Sequence, residues 1–297
     1  MPAEALDGIA PLARIASYGR REEIDDAEAA VARMLGAPDP RATAPLAALG
    51  AGLDVGAAYV LRADPVTFVA GRDDVLLAGR VDDLTAEDAG SLLDTLNRHF
   101  AEDGVVFHAP RADAWFATSS QHVPVEADPP RVNAPIGARM PRGPHAAAWR
   151  RWLSEMQMLL HEHPVNERRE AAGLPPATGI WISSGGTLPD ASSKPPLSIH
   201  AAPSRAGDVA IGIARLARAT AGPPPARFDA LGRTGDALVV IPHVDDAEAL
   251  ARDWLSPALA GLTRGALDHL AIIATNGRAH RYESSRPSWW RRLRARP

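Results

Sequence analysis

The stretch WRRWLSEMQMLLHEHPVNERREAAGLPPATGIWISSGGTLP, residues 149–189, constrains this chain more than any other. Trp149, Trp152, Leu153, Met156, Leu159 and Leu160 recur at spacings of three and four, which writes one apolar face along a helix. Glu155, Gln157 and Glu162 fall largely off that face. Pro164 has no N–H and disfavours helical geometry in His163, so the helix ends at about 161–163. Asn166 then caps a second, short helix that carries Arg168, Arg169 and Glu170 and stops at Gly173. Pro175 and Pro176 impose an extended approach to a strand, GIWIS at 179–183, and Ser184–Gly185–Gly186 follows as a loop.

The same segment concentrates polar chemistry. His161 and His163 stand two apart, whereas ligating pairs on a helix stand three or four apart, so the imidazoles read first as fasteners of the turn rather than as metal ligands. Arg168 and Arg169 each offer a planar fork to phosphate or carboxylate, and Asn166 can orient one of them. Ser184, Gly185 and Gly186 offer backbone N–H groups to an anion, although no helix follows to complete a phosphate loop. The candidate ligand-binding set is therefore His161, His163, Asn166, Arg168, Arg169, Ser184, Gly185 and Gly186, for a small anionic or phosphorylated ligand. Against it stands a purely structural role, with Asn166 as a cap and the arginines paired to local carboxylates.

Elsewhere the pattern alternates helices with strands. Residues 1–50 are alanine-rich and predict a helical region, with helices near 26–35 and 41–49 broken by Gly36 and Pro38. Strands are expected at 57–62, 65–70, 104–109 and 114–119, around a helix at 86–100 with Thr85 as its cap and Ala89, Leu92, Leu93, Leu96 and Phe100 on its buried face. Residues 129–144 read as an irregular connection. After the 149–189 unit come a loop at 190–196, a short strand at 197–201, a helix at 205–220, a strand at 237–241, and a helix at 246–261 that Pro257 should kink. Asn276–Gly277 between 270–275 and 278–283 is a strong hairpin signal. The order implies an α/β (or α+β) fold with a mixed central sheet and flanking helices. The expected organisation is a helical region at 1–50, an α/β subdomain at 51–140, and a second one at 141–297 that contains the signature and ends in a basic tail.

Composition removes several classes of function. A net charge of -4 gives no general attraction for nucleic acid or membrane, and no apolar run approaches the length of a membrane span. The first residues lack a basic stretch ahead of an apolar core, so no secretory signal is expected. With no cysteine there is no disulfide or thiolate site, which fits a cytoplasmic location. The tail RPSWWRRLRARP sets Trp289 and Trp290 beside Arg291, Arg292, Arg294 and Arg296. It is the one segment from which nucleic-acid, anionic-lipid or protein-partner contact is expected; docking of its tryptophans on the body is the plainer alternative.

The string HPVNERR…G…PA…IW…GG…LP resembles the signature region of archaeal-type cofactor-independent phosphoglycerate mutases of the alkaline-phosphatase superfamily. It resembles more closely a shortened bacterial branch, the RpfE-type regulatory proteins. The residues that carry the likeness include Leu153, Glu155, Gln157, Met158, His161, His163, Pro164, Val165, Asn166, Arg169, Gly173, Trp181, Gly186, Leu188 and Pro189. Ser154, Thr178, Ser183 and Ser184 depart from it. A second block at 58–119, with A-D-P-V, L-N-x-H-F and D-G-V-x-F, supports the same likeness. The resemblance implies a two-metal phosphoryl-transfer centre in the catalytic relatives, where dications neutralise like-charged oxygens and lower the pKa of a Ser or Thr nucleophile. Here Asp7–Gly8 reads as a surface turn. His243, Asp245 and Asp246 read as a solvated loop with a helix cap. No metal, cofactor or catalytic residue is therefore assigned, and the expectation is a non-catalytic regulatory protein that binds a small anion. The alternative is a metal-dependent mutase or phosphatase acting on phosphorylated metabolites.

Overall fold

The structure, a computed structural model, describes residues 10–11, 20–24, 26–72, 74–121, 123–190, 197–232, 235–242, 244, 246–275 and 279–285. Residues 191–196 of the loop expected at 190–196, Asp7–Gly8, His243, Asp245, Asn276–Gly277 and residues 286–297 lie outside the described residues. In chain order the elements are β1 (Arg20–Ile24), α1 (Ala27–Met34), α2 (Ala44–Gly50), β2 (Tyr59–Ala70), β3 (Val75–Arg80), α3 (Ala86–His99), β4 (Val105–Arg111), β5 (Ala114–Ser119) and β6 (Ala134–Pro135). Then come α4 (Ala146–His161), α5 (Pro164–Ala171), β7 (Gly179–Gly186), β8 (Ser198–Ala201), α6 (Arg205–Leu216), β9 (Ala221–Gly222) and β10 (Ala237–Val240). The last are α7 (Ala247–Leu250), a π segment (Ala251–Leu255), α8 (Ser256–Arg264), β11 (His269–Thr275) and β12 (Ala279–Ser285).

Everything is organised around β2. The pattern predicts two strands at 57–62 and 65–70, but the chain runs through Pro65 as one strand of 12 residues. Pairing explains how. Val60 is matched on both sides, to Thr118 of β5 and Gly186 of β7, and Val66 likewise, to Arg80 of β3 and Gly179 of β7. So β7 follows one edge, while β5 and then β3 share the other. Pro65 falls between them, where its missing N–H leaves no ladder bond unmade, and its carbonyl accepts from Val81 N at 2.9 Å. β3 is a strand the sequence pattern did not mark.

Every pairing in this central sheet is antiparallel, in the order β4-β5-β2-β3-β6 with β7 on β2. The α/β class with flanking helices is as expected. Parallel pairing is present too, but in a separate small sheet, β10-β8-β9, rather than mixed into the central one. A third sheet, β1-β12-β11, joins residues from both ends of the sequence. β11 and β12 pair from His269↔Ser285 to Thr275↔Ala279, the hairpin expected there. β1, at Arg20–Ile24, lies ahead of the helices expected near 26–35 and 41–49 and is a strand that the sequence pattern did not mark.

Alternate residues of β2 bury opposite faces. Tyr59, Leu61 and Ala63 pack with Leu92, Leu96 and Phe100 and with Trp149, Trp152, Met156 and Leu160, so α3 and α4 cover one face with the apolar positions their spacing announced. Leu93 and Leu159 are only half-buried at its margin. Val60 and Phe116 face α1, α2 and α6. There α2 and α6 cross closely: a Cβ on Gly212 would lie 1.8 Å from the Leu46 carbonyl oxygen, so a larger residue would force the helices apart. Thr85 caps α3, its hydroxyl accepting from Asp88 N at 3.0 Å. Asn97 on the same helix blocks the outer edge of β4, accepting from Phe107 N at 2.7 Å and donating to its carbonyl at 3.1 Å, much as a further strand would. Pro257 enters α8 within its first turn. The π segment just ahead absorbs the missing hydrogen bond where a kink was expected.

Candidate functional site

α4 ends at His161, as Pro164 requires, and His161 is exposed. The cap of α5 is His163 rather than Asn166, because the helix begins directly at Pro164. His163 Nδ1 accepts from Val165 N at 3.2 Å, which places the ring proton on Nε2, 3.1 Å from Thr95 Oγ1. Burial, then the Arg168 charge, hold the His163 pKa below the usual imidazole value, in keeping with this neutral form.

Asn166 instead lies inside α5 and ties three chain segments together. Its amide donates to Leu160 O at 2.6 Å and Ala177 O at 2.9 Å, and accepts from Ala177 N at 2.8 Å. Arg169, 4% exposed, donates to Pro175 O at 2.8 Å and to Asp83 at 2.6 Å. Arg168 is on the surface, paired with Asp88 at 2.6 Å, and this hydrogen bond draws the Asp88 pKa down. His163, Asn166 and Arg169 thus share one buried turn, with Arg168 and His161 outside it.

Ser184, Gly185 and Gly186 are elsewhere. They belong to the end of β7 rather than to a loop, and the strand of 8 residues from Gly179 to Gly186 spans about 23 Å. Opposite Leu61 the register slips, so that Ser184 and Gly185 together face one residue of β2, and Ser184 takes a left-handed φ of 58°. Such a conformation in a non-glycine residue is strained. A Cβ on Gly185 would fall 2.4 Å from Tyr59 Oη, whose hydroxyl is itself fixed between the N–H and carbonyl of Val125 at 3.2 Å each. Beside this bulge opens a cleft of about 320 Å³, lined by Pro38, Asp39, Tyr59, Gly185, Gly186 and Thr187 among others.

The most concentrated chemistry lies next along the same strands and was missed by sequence reasoning. Arg62, fully buried on β2, donates from Nε and Nη2 to Glu28 Oε2 at 3.1 and 2.7 Å. Arg205, at the start of α6, bridges Glu28 Oε1 at 2.9 Å and Asp64 Oδ1 at 2.5 Å. Arg62 also lies over the Phe116 ring, 4.8 Å from its centre. Nearby, Arg111 grips the fully buried Asp208 through two nitrogens, at 3.2 and 2.8 Å. Burial pushes the Glu28 pKa up, but Arg205 and Arg62 outweigh it and leave the carboxylate below its usual value. For Asp208 burial prevails over Arg111 and the pKa rises. Three buried atoms on this sheet face have no hydrogen-bond partner: Arg62 Nη1, Asp64 Oδ2, and Oγ of Ser183, the register partner of Arg62. The signal that could have found this cluster is Arg62 and Asp64, two charges at i,i+2 in an otherwise apolar strand and hence on one face.

Among the described residues no three His, Asp or Glu side chains stand together so as to hold a metal ion, and Asp246 is occupied as the cap of α7, accepting from Glu248 N and Ala249 N at 2.8 and 3.0 Å. The interior carboxylates Glu28, Asp64 and Asp208 have arginine counter-ions. Among the described residues, then, no group matches the two-metal centre that the resemblance implies. No helix among the described residues is long and apolar enough to cross a membrane.

Residues 30–166 match the family model of 2,3-bisphosphoglycerate-independent phosphoglycerate mutase, which makes this α/β chain phosphoglycerate-mutase-like over that region. A 2,3-bisphosphoglycerate-independent phosphoglycerate mutase of Methanothrix thermoacetophila is 40% identical over 58 residues, which is 20% of this chain and only 15% of that protein. Two solved structures align with 96% of the chain. They are the cofactor-independent phosphoglycerate mutase of Thermoplasma acidophilum (18% identity, 86% of that chain, TM-score 0.42) and the PH0037 protein of Pyrococcus horikoshii (17%, 84%, 0.49).

Proposed function

We propose that this chain is a non-catalytic, phosphoglycerate-mutase-like regulatory protein that binds a small anionic or phosphorylated ligand. The observation that carries the proposal is the pairing of the interior carboxylates. Glu28, Asp64 and Asp208 are met by Arg62, Arg205 and Arg111, so the charge that would draw dications is already compensated from within. The cleft beside the Ser184–Gly185 bulge is the place we assign to the ligand, because a strained backbone next to a concave surface is where binding strain concentrates. The signature residues at 161–169 then act as scaffold, holding α4, α5 and the approach to β7 in register.

A thermal-shift and turnover experiment tests this with inorganic phosphate and 3-phosphoglycerate, each with and without Mn²⁺. Metal-independent stabilisation with no turnover is expected. Mn²⁺-dependent stabilisation with mutase or phosphatase turnover would overturn the proposal in favour of a metal enzyme. No response to either anion would remove the ligand from it.

A further inference from the structure

On the face that β2 turns toward α1, α2 and α6, Arg62 and Asp64 stand two residues apart between Val60 and Val66, and all four are buried. With Glu28 and Arg205 they make two carboxylates and two guanidiniums, so the group is balanced in charge. Its hydrogen bonds are not balanced. Nε and Nη2 of Arg62 are taken by Glu28 and the Arg205 carbonyl, and the Phe116 ring covers the flat of the guanidinium. Nη1 has no partner among the described residues. Asp64 accepts from Arg205 through Oδ1 and leaves Oδ2 unpaired. Ser183, directly opposite Arg62 on β7 and fully buried, has an unpaired Oγ.

Register makes these three side chains neighbours on one face of the sheet. Residues opposite each other on antiparallel strands have Cβ atoms about 4.5–5.5 Å apart, and diagonal ones, as Asp64 is to Ser183, about 7–8 Å. The long arginine rises from the sheet to Glu28, whereas the short serine keeps its hydroxyl close to the strand, so the two do not meet directly. A single bridging molecule makes two hydrogen bonds in series and spans ~5–6 Å, a gap of the kind such neighbours leave. Buried polar atoms with nothing to bond cost more than the ordering of one molecule that serves them all. That molecule must accept from Nη1, donate to Asp64 Oδ2, and do either with Ser183. It must also be small, and it must bring no charge to a group already balanced.

We propose that Arg62, Asp64 and Ser183 form a binding site for one buried water molecule, which joins β7 to the ion network of α1, β2 and α6. Three polar partners are what a buried water typically has, and this set supplies both a donor and acceptors. The bridge makes Ser183 a positioning residue, because the next residue along β7 is Ser184 with its left-handed backbone. The site is independent of any anion in the cleft.

The test is a crystal structure of the whole protein at a resolution that shows ordered water, joined to nuclear Overhauser transfer from water to the Arg62 side-chain N–H groups in solution. The expected result is one water-sized peak at about 2.6–3.2 Å from Nη1 and from at least one of Asp64 Oδ2 and Ser183 Oγ, with transfer of the sign that a long-resident water gives. Ser183→Val removes one partner and sets a methyl group in the hydroxyl's place, so the peak and the transfer should both fall at least twofold. The wild-type measurements decide the matter by themselves if that variant does not fold. A wild-type structure in which Nη1 bonds Ser183 or Asp64 directly, with no peak between them, overturns the proposal. So does a peak with the scattering of an ion, or one that Ser183→Val leaves at full occupancy.

Discussion

Asn166 decides between two roles for the signature, and replacing it by Ala separates them. The side chain is 2% exposed and makes three hydrogen bonds, to Leu160 O, Ala177 O and Ala177 N. Truncation leaves two carbonyl oxygens and one N–H in a dry turn, each costing about 1–3 kcal/mol where it cannot find water. With partial relaxation the total is about 3–5 kcal/mol. At ~2–4 °C per kcal/mol for a chain of this size class, the melting temperature should fall by roughly 6–20 °C. Asn166→Asp, of the same shape, keeps an acceptor for Ala177 N but turns a carboxylate oxygen toward both carbonyls, so it should be no milder. Arg168→Ala, which loses only the exposed pair with Asp88, should be near neutral. Urea denaturation measures the stability change, and titration with inorganic phosphate, read by calorimetry, measures binding on the same samples. A variant Asn166→Ala that melts within ~2 °C of wild type yet no longer binds phosphate would refute a structural role for the signature.

Other substitutions probe the remaining parts of the site. Ser184→Gly relieves the left-handed backbone at the bulge and should stabilise by up to ~1 kcal/mol in chemical denaturation; a loss of stability would show that the Ser184 side chain does more than tolerate the turn. Arg62→Met leaves Glu28 buried with only Arg205, a loss of about 3–5 kcal/mol, and adding Glu28→Gln should recover part of it in a double-mutant cycle. His163, held neutral with its pKa below the usual imidazole value of 6.5, contributes stability that is full above about 6.5 and is lost as pH falls below it. Its replacement by Asn, which keeps a capping acceptor, should flatten the acid side of the stability profile; unchanged acid sensitivity would shift the cause to other groups, such as His108.

What the sequence determined by itself is local. The spacing of Leu92, Leu96 and Phe100, and of Trp149, Trp152, Met156 and Leu160, fixes which helix faces are buried, because a residue three or four positions away is a neighbour in any fold. Pro164 ends α4 for the same kind of reason, and the strands flanking Asn276–Gly277 find each other because they adjoin. Tertiary structure decided whatever depends on partners remote in the chain. Pro65 breaks a pattern but not a strand, since β5 and β3 change over at that point of the edge. Asn166 has the composition of a cap, yet Ala177, brought back by the two prolines, gives it a better set of partners than the end of a helix would. Ser184–Gly186 looks like an open loop until β2 is laid beside it. The ion network is the extreme case: Glu28 and Arg205 are 177 residues apart, and neither charge carries a local mark of burial. A buried charge is tolerated only where its counter-charge arrives, and that arrival is a property of the assembled layers rather than of any segment.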